Sequence, residues 1–280
     1  MTKTVAILGC GPAGLLVAHA ANLQGWSFHI YSKKQKSPIF GAQYLHEPIP
    51  GVTGTDPEDG AVMLSYRLRG TPESYRHKVY GPSWDGNTSP EDYEGDHYAW
   101  DLRGAYDKLW FDYGDEVVPT EFSGASWSPK VIAVERADLV ISTIPRTVWD
   151  DNPDNFQQAY IWALGDGDYQ RVHLHRPDPF TVICDGTKDN QWYRVSNIFG
   201  YCTMEWSQWW NNPFASVTPP ARGAARVAKP LAYTGNAARD IIHLGRFAQW
   251  TKGVLTSDVF KESMKIFAND SIEANYEQTS

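Results

Sequence analysis

The residues with the clearest chemical meaning stand near the N-terminus: Gly9-Cys10-Gly11-Pro12-Ala13-Gly14 has the spacing G-x-G-x-x-G. What such a segment offers is backbone N–H groups and the positive end of a helix dipole, which together bind an anion. The first glycine permits a tight turn, the second lets a pyrophosphate approach the backbone, and the third allows helix and strand to pack closely. A helix opening at Pro12 then presents its free N–H groups to the phosphates. Cys10 occupies a variable position and reads as a small packing residue. About 20 residues further on, a dinucleotide site usually supplies a carboxylate to the adenosine ribose. Ser32, Lys33 and Lys34 stand there instead. Three readings stay open: a ribose held by Ser32 and backbone groups, a basic site suited to a 2′-phosphate, or lysines that are simply solvated.

Other residue patterns are weaker. His173 and His175 alternate onto one face of a strand candidate, but no third ligand spacing accompanies them, so a surface pair is expected and no metal site. Cys10, Cys184 and Cys202 form no C-x-x-C pair and no disulfide framework, which points to a reducing cytosol. The Asn87-Thr88-Ser89 sequon is then chance. G-x-S-x-G, H-E-x-x-H and P-loop patterns are absent. A net charge of −8 disfavours general nucleic-acid binding, while 42% apolar and 21% charged residues exclude wholesale disorder and a multi-span membrane protein. Thr4 to Ser32 carries no Asp, Glu, Lys or Arg, yet its glycines and Pro12 interrupt the run where a membrane helix should be strongest. Twelve Trp and 15 Tyr supply more flat side chains than a core needs, and suit a ring-shaped ligand.

The elements that must position these residues follow from periodicity. Val5 to Leu8 is a short apolar run suited to a strand buried on both faces. Leu15, Leu16, His19, Ala20 and Leu23 then repeat at helical spacing until Gly25, and Ser27 to Tyr31 is a second strand, which makes a βαβ unit. Between Lys33 and Tyr98 the sequence turns to Pro, Gly and polar clusters, with strand candidates at Val62 to Leu68 and His77 to Tyr80. Leu102 to Tyr113 is a helix with Asp101 as N-cap and Gly114 as stop. Val131 to Val134 and Asp138 to Thr143 are strand candidates, the latter closed by Pro145. From Trp149 to Lys229 the candidates at Arg171 to Leu174, Phe180 to Cys184, Trp192 to Phe199 and Tyr201 to Trp206 suit an antiparallel sheet, with Pro213 and Pro219-Pro220 in a linker-like return. Asp240 to Leu244 is a further buried strand, Gly245-Arg246 a turn, Phe247 to Phe267 one helix, and the last dozen residues are polar and frayed.

The opening Val-Ala-Ile-Leu-Gly-Cys-Gly-Pro-Ala-Gly-Leu resembles the N-terminus of FAD-dependent oxidoreductases of the Rossmann-type FAD/NAD(P)-binding superfamily. Ile241-Ile-His-Leu-Gly-Arg-Phe-Ala-Gln-Trp250 is similar to the C-terminal flavin motif of their amine oxidase and UDP-galactopyranose mutase branch, where a strand delivers a Gly-Arg turn to the flavin. By that resemblance Gly245 and Arg246 meet the flavin end of the cofactor. Arg103 resembles the arginine that approaches FAD phosphates in several flavin hydroxylases. The resemblance also implies that the second sheet roofs the flavin, which makes Tyr193, Arg194 and Glu205 candidates for substrate contact. On a regular strand Trp192, Arg194 and Ser196 share one face and Tyr193 and Val195 the other, so only one of Tyr193 and Arg194 can point inward, and Arg194 is the expected one. Gly41 to His46 could pass near the flavin.

The expected protein is an α/β enzyme: a Rossmann-type FAD/NAD(P)-binding domain from residues 1–35, 101–148 and 230–268, and a smaller, mainly antiparallel β substrate domain from 36–100 and 149–229. The expected activity is oxidation or reduction of a small molecule through FAD, with hydride transfer to or from the flavin and NAD(P)H as a possible co-substrate. A flavin-dependent isomerase of the galactopyranose mutase type and a non-catalytic dinucleotide-binding module are the alternatives. A cytoplasmic protein with no membrane span is expected.

Overall fold

A computed structural model describes residues 2–33, 35–56, 58–81, 86, 92–121, 136–164, 177–207, 223–235 and 241–277. The first layer is a parallel sheet. Strand β1 (Thr4–Leu8) lies between β2 (Ser27–Ser32) and β6 (Leu139–Ser142), with β5 (Val117–Pro119) beyond β2 and β12 (Ile242–His243) beyond β6. All these pairs are parallel, and Ile7 stands beside Ile30 on one side and Ile141 on the other. Alternation along β1 sends Val5 and Ile7 into the large core under the helices, and Ala6 and Leu8 to the opposite face with Tyr31. That two-sided burial is why the strand shows no polar alternation.

Three helices cover the first face: α1 (Pro12–Leu23), α3 (Leu102–Tyr113) and α5 (Thr256–Glu277). Leu15 and Leu16 of α1, Tyr106 and Leu109 of α3, and Phe260 and Phe267 of α5 share that core. Asp101 caps α3 by accepting the Arg103 N–H at 2.9 Å, and Gly114 closes it, as the sequence predicts.

The second layer is a seven-stranded sheet in the order β11-β7-β10-β9-β8-β3-β4. Its strands are β3 (Val62–Arg69), β4 (Gly95–Ala99), β7 (Phe156–Leu164), β8 (Thr181–Asp185), β9 (Trp192–Ile198), β10 (Tyr201–Ser207) and β11 (Ala224–Tyr233). Every pair is antiparallel except β3 with β8. The fold class is therefore the expected α/β architecture with a mainly antiparallel second sheet.

Several local expectations are corrected. His77 to Tyr80 is not a strand but the end of helix α2 (Pro72–Tyr80), whose start is set by Pro72 in the first turn and a reciprocal cap between Thr71 and Ser74. The helix expected over Phe247 to Phe267 is two helices: α4 (Arg246–Gln249) stops where Trp250 adopts a left-handed conformation (φ 53°), and α5 starts anew at Thr256. α5 runs on to Glu277 where a frayed tail was expected. Residue 230, the expected boundary, falls inside β11. Strands β4, β5, β7 and β11 had no counterpart in the periodicity reading. Val131 to Val134, Arg171 to Leu174, His173 and His175, Asn87, the Pro213 and Pro219-Pro220 return and Asp240 lie outside the described residues.

No helix among the described residues is long and apolar enough to cross a membrane. Phe267 is fully buried with its ring 5.0 Å from that of Trp26, whereas Phe111 is 87% exposed. Phe267→Ala is expected to cost about 3–5 kcal/mol of unfolding free energy in urea titration. Phe111→Ser should stay within about 0.5 kcal/mol of wild type.

Candidate functional site

The glycine loop is shaped for a ligand on one side only. Gly9 has φ +107°, and a Cβ there would stand 2.6 Å from the Thr143 hydroxyl. At Gly14 a Cβ would stand 2.0 Å from the Gly9 carbonyl oxygen, so this glycine serves the packing of helix on turn. Gly11 differs: its φ is an ordinary −69°, and a Cβ would meet nothing closer than the Ser37 hydroxyl at 3.8 Å. The space in front of Gly11 is open. Gly11 caps α1 without a side-chain bond, and no acidic residue occupies the first turn, so the helix end is left to an external acceptor. The Tyr106 hydroxyl fixes the loop from α3 by donating to the Cys10 carbonyl at 2.9 Å and accepting the Ser37 N–H at 3.0 Å.

The far end of the chain returns to this turn. Gly245, with φ +92°, follows β12 so closely that a Cβ there would lie 3.3 Å from the Ala13 Cβ. Pro12, Ala13, Gly245 and Arg246 line one cavity of about 410 Å³, which extends to the second sheet at Arg194, Glu205 and Lys229. Arg246 Nε is buried with no hydrogen-bond partner among the described residues. The free helix end at Pro12 and Ala13 and the orphaned guanidinium nitrogen of Arg246 lie on one cavity and fit a phosphate-bearing ligand.

The polar centre of the cavity is Glu205, 1% exposed. Its Oε1 accepts the Ala42 N–H at 3.0 Å and Arg194 Nε at 2.6 Å, the Tyr193 hydroxyl donates to Oε2, and Lys229 Nζ lies 3.8 Å from Oε2. Burial alone would raise the Glu205 carboxyl, but Arg194 above all, then Lys229 and the hydrogen bonds, hold it down at about 2. Burial and the neighbouring Arg194 push the Lys229 amine down to about 7, against the pull of Glu205. Tyrosines 44, 66, 80 and 93 wall the space, and His46 stacks on Tyr44 at 4.3 Å. Burial lowers the His46 imidazole as well.

Tyr193 and Arg194 both face Glu205, which corrects the expected strict alternation, while of the two only Arg194, the one expected inward, lines the cavity. The reason is a β-bulge: Glu205 pairs with Arg194 but Trp206 pairs with Trp192, so Tyr193 is an extra residue that breaks the alternation. Trp192 consequently packs with Val195, Met204 and Trp206 on one side of the sheet, and Tyr193 with Ile161 and Ala163 on the other.

The remaining candidates lie apart from this centre. Arg103 is buried, donates to the Gly41 carbonyl at 3.2 Å and the Gln43 carbonyl at 3.3 Å, and stacks on Tyr201. It thereby holds the 41–43 loop whose Ala42 binds Glu205. Gly41 must be a glycine there, since a Cβ would stand 2.7 Å from Glu205 Oε1. Ser32 ends β2, its carbonyl accepting the Thr120 N–H at 2.7 Å. Lys33 forms an exposed ion pair with Glu121 at 2.9 Å. Sequence reasoning missed Lys229 as a site residue. Its signal was present in Val227 and Lys229, which share a face of β11 and both line the cavity. Among the described residues no group of three His, Cys, Asp or Glu side chains is arranged to hold a metal.

No protein-family model matches the chain, and no curated protein matches it in sequence. Solved structures do match. A flavoprotein/dehydrogenase from Cytophaga hutchinsonii superposes with TM-score 0.53 at 14% identity, over 95% of this chain and 76% of that one. The 2,6-dihydroxypyridine-3-hydroxylase of Arthrobacter nicotinovorans gives 0.52 at 12% identity, over 96% and 84%. A Photorhabdus luminescens protein assigned as an FAD-containing monooxygenase gives 0.50 at 11% identity, over 99% and 93%. The chain has the fold of these flavoproteins. They are a dehydrogenase, a hydroxylase and a monooxygenase, not members of the amine oxidase and mutase branch that the C-terminal motif suggested.

Removing the Glu205 carboxylate would leave Arg194, only 20% exposed, without its partner, so Glu205→Leu is expected to cost about 3–5 kcal/mol in denaturant titration, with much of it recovered in Glu205→Leu/Arg194→Met. Lys229 adds a pH signature. Its folded pKa of about 7 lies below the unfolded 10.5, so between these values the unfolded chain binds the extra proton. The stability of the wild type relative to Lys229→Met should therefore rise with pH across that window and level off at both ends.

Proposed function

We propose that the protein is an FAD-dependent oxidoreductase that acts on a small ring-bearing molecule, in the manner of a hydroxylase or monooxygenase rather than an amine oxidase. One observation carries the reading: Pro12 and Ala13, next to the open turn at Gly11, and the Gly245-Arg246 turn line a single cavity that also reaches Arg194 and Glu205, in a fold shared with flavoproteins. In this reading residues 1–35, 101–148 and the C-terminal segment from β12 onward form the cofactor domain, and the antiparallel sheet with α2 forms the substrate domain. Gly9, Gly11, Pro12, Ala13 and Gly14 hold the pyrophosphate, Ser32 and Lys33 stand at the adenosine end, and Gly245 and Arg246 meet the flavin end. Arg103 acts as a positioning residue through the 41–43 loop. FAD, when bound, supplies the two-electron chemistry at its ring, with NAD(P)H as the reductant.

This chain's own residues do the rest. The Arg246 guanidinium offers positive charge where a reduced ring or a phosphate would carry negative charge. Glu205 locks Arg194 into one orientation, so the guanidinium N–H groups it does not use are fixed before a substrate arrives, while Tyr193 spends its hydroxyl donor on Glu205. The tyrosine walls exclude water and offer flat faces for a ring to stack on.

The purified protein is expected to be yellow and to release FAD on denaturation. Gly11→Val should keep its circular dichroism spectrum, because the space at Gly11 is open, and lose the visible absorbance. Gly14→Val should fail to fold, because its side chain meets backbone. Colourless wild-type protein that cannot be reconstituted with FAD defeats the proposal, as does full FAD occupancy in Gly11→Val.

A further inference from the structure

Lys229 has an unmet requirement. Its side chain is only 13% exposed and that exposure opens into the cavity, yet its nearest carboxylate oxygen, on Glu205, lies 3.8 Å away and is occupied by the Tyr193 hydroxyl. No hydrogen-bond acceptor reaches Nζ among the described residues. The other groups around it offer none: Arg194 and Arg246 are cations, and Cys184 is a thiol whose pKa burial pushes up to about 11. The rings of Tyr193 and Tyr80 present their faces at 5.0 and 5.9 Å. On β7 the residue paired with Lys229 is Ala159, and on β11 itself Arg226 points to Tyr160. The other carboxylate on the cavity wall, Asp92, is an electrostatic partner of Lys252. Three cationic side chains therefore converge on a space with one fully engaged carboxylate, walled by tyrosines.

We propose that Lys229, with Arg194 and Arg246 behind it, forms a subsite for the carboxylate of an aromatic acid, and that the amine takes up a proton when that anion binds. The proposal deepens the functional reading above and rests on it for the identity of the cavity as a substrate site. Burial and the neighbouring Arg194 bring the lysine amine down to about 7, so its neutral form is accessible at neutral pH. An anion within hydrogen-bond reach favours the ammonium, so binding draws a proton from the buffer: a buffer acid loses H⁺ and Lys229 gains an N–H bond. A ligand arriving as the free acid supplies the same proton from its own O–H.

Isothermal titration calorimetry of the protein as purified, with benzoate and with neutral benzamide, at pH 7 in two buffers of different ionisation enthalpy, tests this. Benzoate is expected to bind with net proton uptake, because the amine lies well below its ordinary range in the absence of an anion. Benzamide should bind at least about tenfold more weakly with no uptake. In Lys229→Met the benzoate affinity should fall to that of benzamide and the uptake should vanish, with the visible spectrum retained. If Lys229→Met does not fold, Lys229→Arg should bind benzoate without uptake, because its cation cannot titrate. No benzoate binding, equal binding of the two probes, or uptake that persists in Lys229→Met overturns the proposal. So does unchanged benzoate binding in Lys229→Met together with a shifted flavin potential, which would assign the anion to the flavin itself. Absence of FAD from the wild type would instead defeat the functional reading, and the calorimetry would still decide the role of Lys229.

Discussion

A buried carboxylate has to be matched by donors and charge or it will not stay ionised, and Glu205 meets that constraint with groups drawn from across the molecule. Arg194 and Tyr193 come from the neighbouring strand, Lys229 from the far edge of the same sheet, and Ala42 from a loop that belongs to neither sheet. The loop in turn is held by Arg103 on α3, a helix of the other layer. One ion thus ties the helical face of the parallel sheet to the antiparallel sheet, and the cavity exists where the two are held apart.

The same constraint explains the bulge in β9. A regular strand would give Glu205 either a tyrosine hydroxyl or a guanidinium, never both from adjacent residues. Inserting Tyr193 as an unpaired residue turns two consecutive side chains to one face, at the cost of one ladder position. Bulges recur beside functional sites because they re-aim side chains in this way. Here the result is a pair of donors presented from one strand to one acceptor.

How much of this could be read from residues alone depended on the range of the interactions. The βαβ unit and the glycine turn were legible, since strand, turn and helix lie within about thirty residues and each glycine has a local reason. Helix α3 was legible to its caps, because Asp101 and Gly114 are local signals. Helix α2 was misread although Thr71-Pro72-Glu73-Ser74 carries a capping signature, because its mean composition is polar and its apolar stripe, Tyr75 and Val79, is short. In the site, Arg194 and Tyr193 were found through resemblance, but their common orientation was not. It depends on a register shift against β10, and no pattern within β9 records it. Lys229 escaped notice because a lysine on an edge strand is ordinarily a solvated residue. Only the packing of Tyr80 and Tyr193 around it turns it into a buried amine.

The close approach of Gly245 to Ala13 joins residues far apart in sequence. During synthesis the glycine turn and α1 are made first, and their open side stays incomplete until β12 has been made and has added itself to the edge of the parallel sheet. The loop closed by that contact contains almost every other element, so its formation carries a large entropic cost that only the finished core repays. A ligand held between the two segments would therefore need β12 in place beside the glycine turn. Its binding would be linked to the stability of both segments together, not of the glycine turn alone.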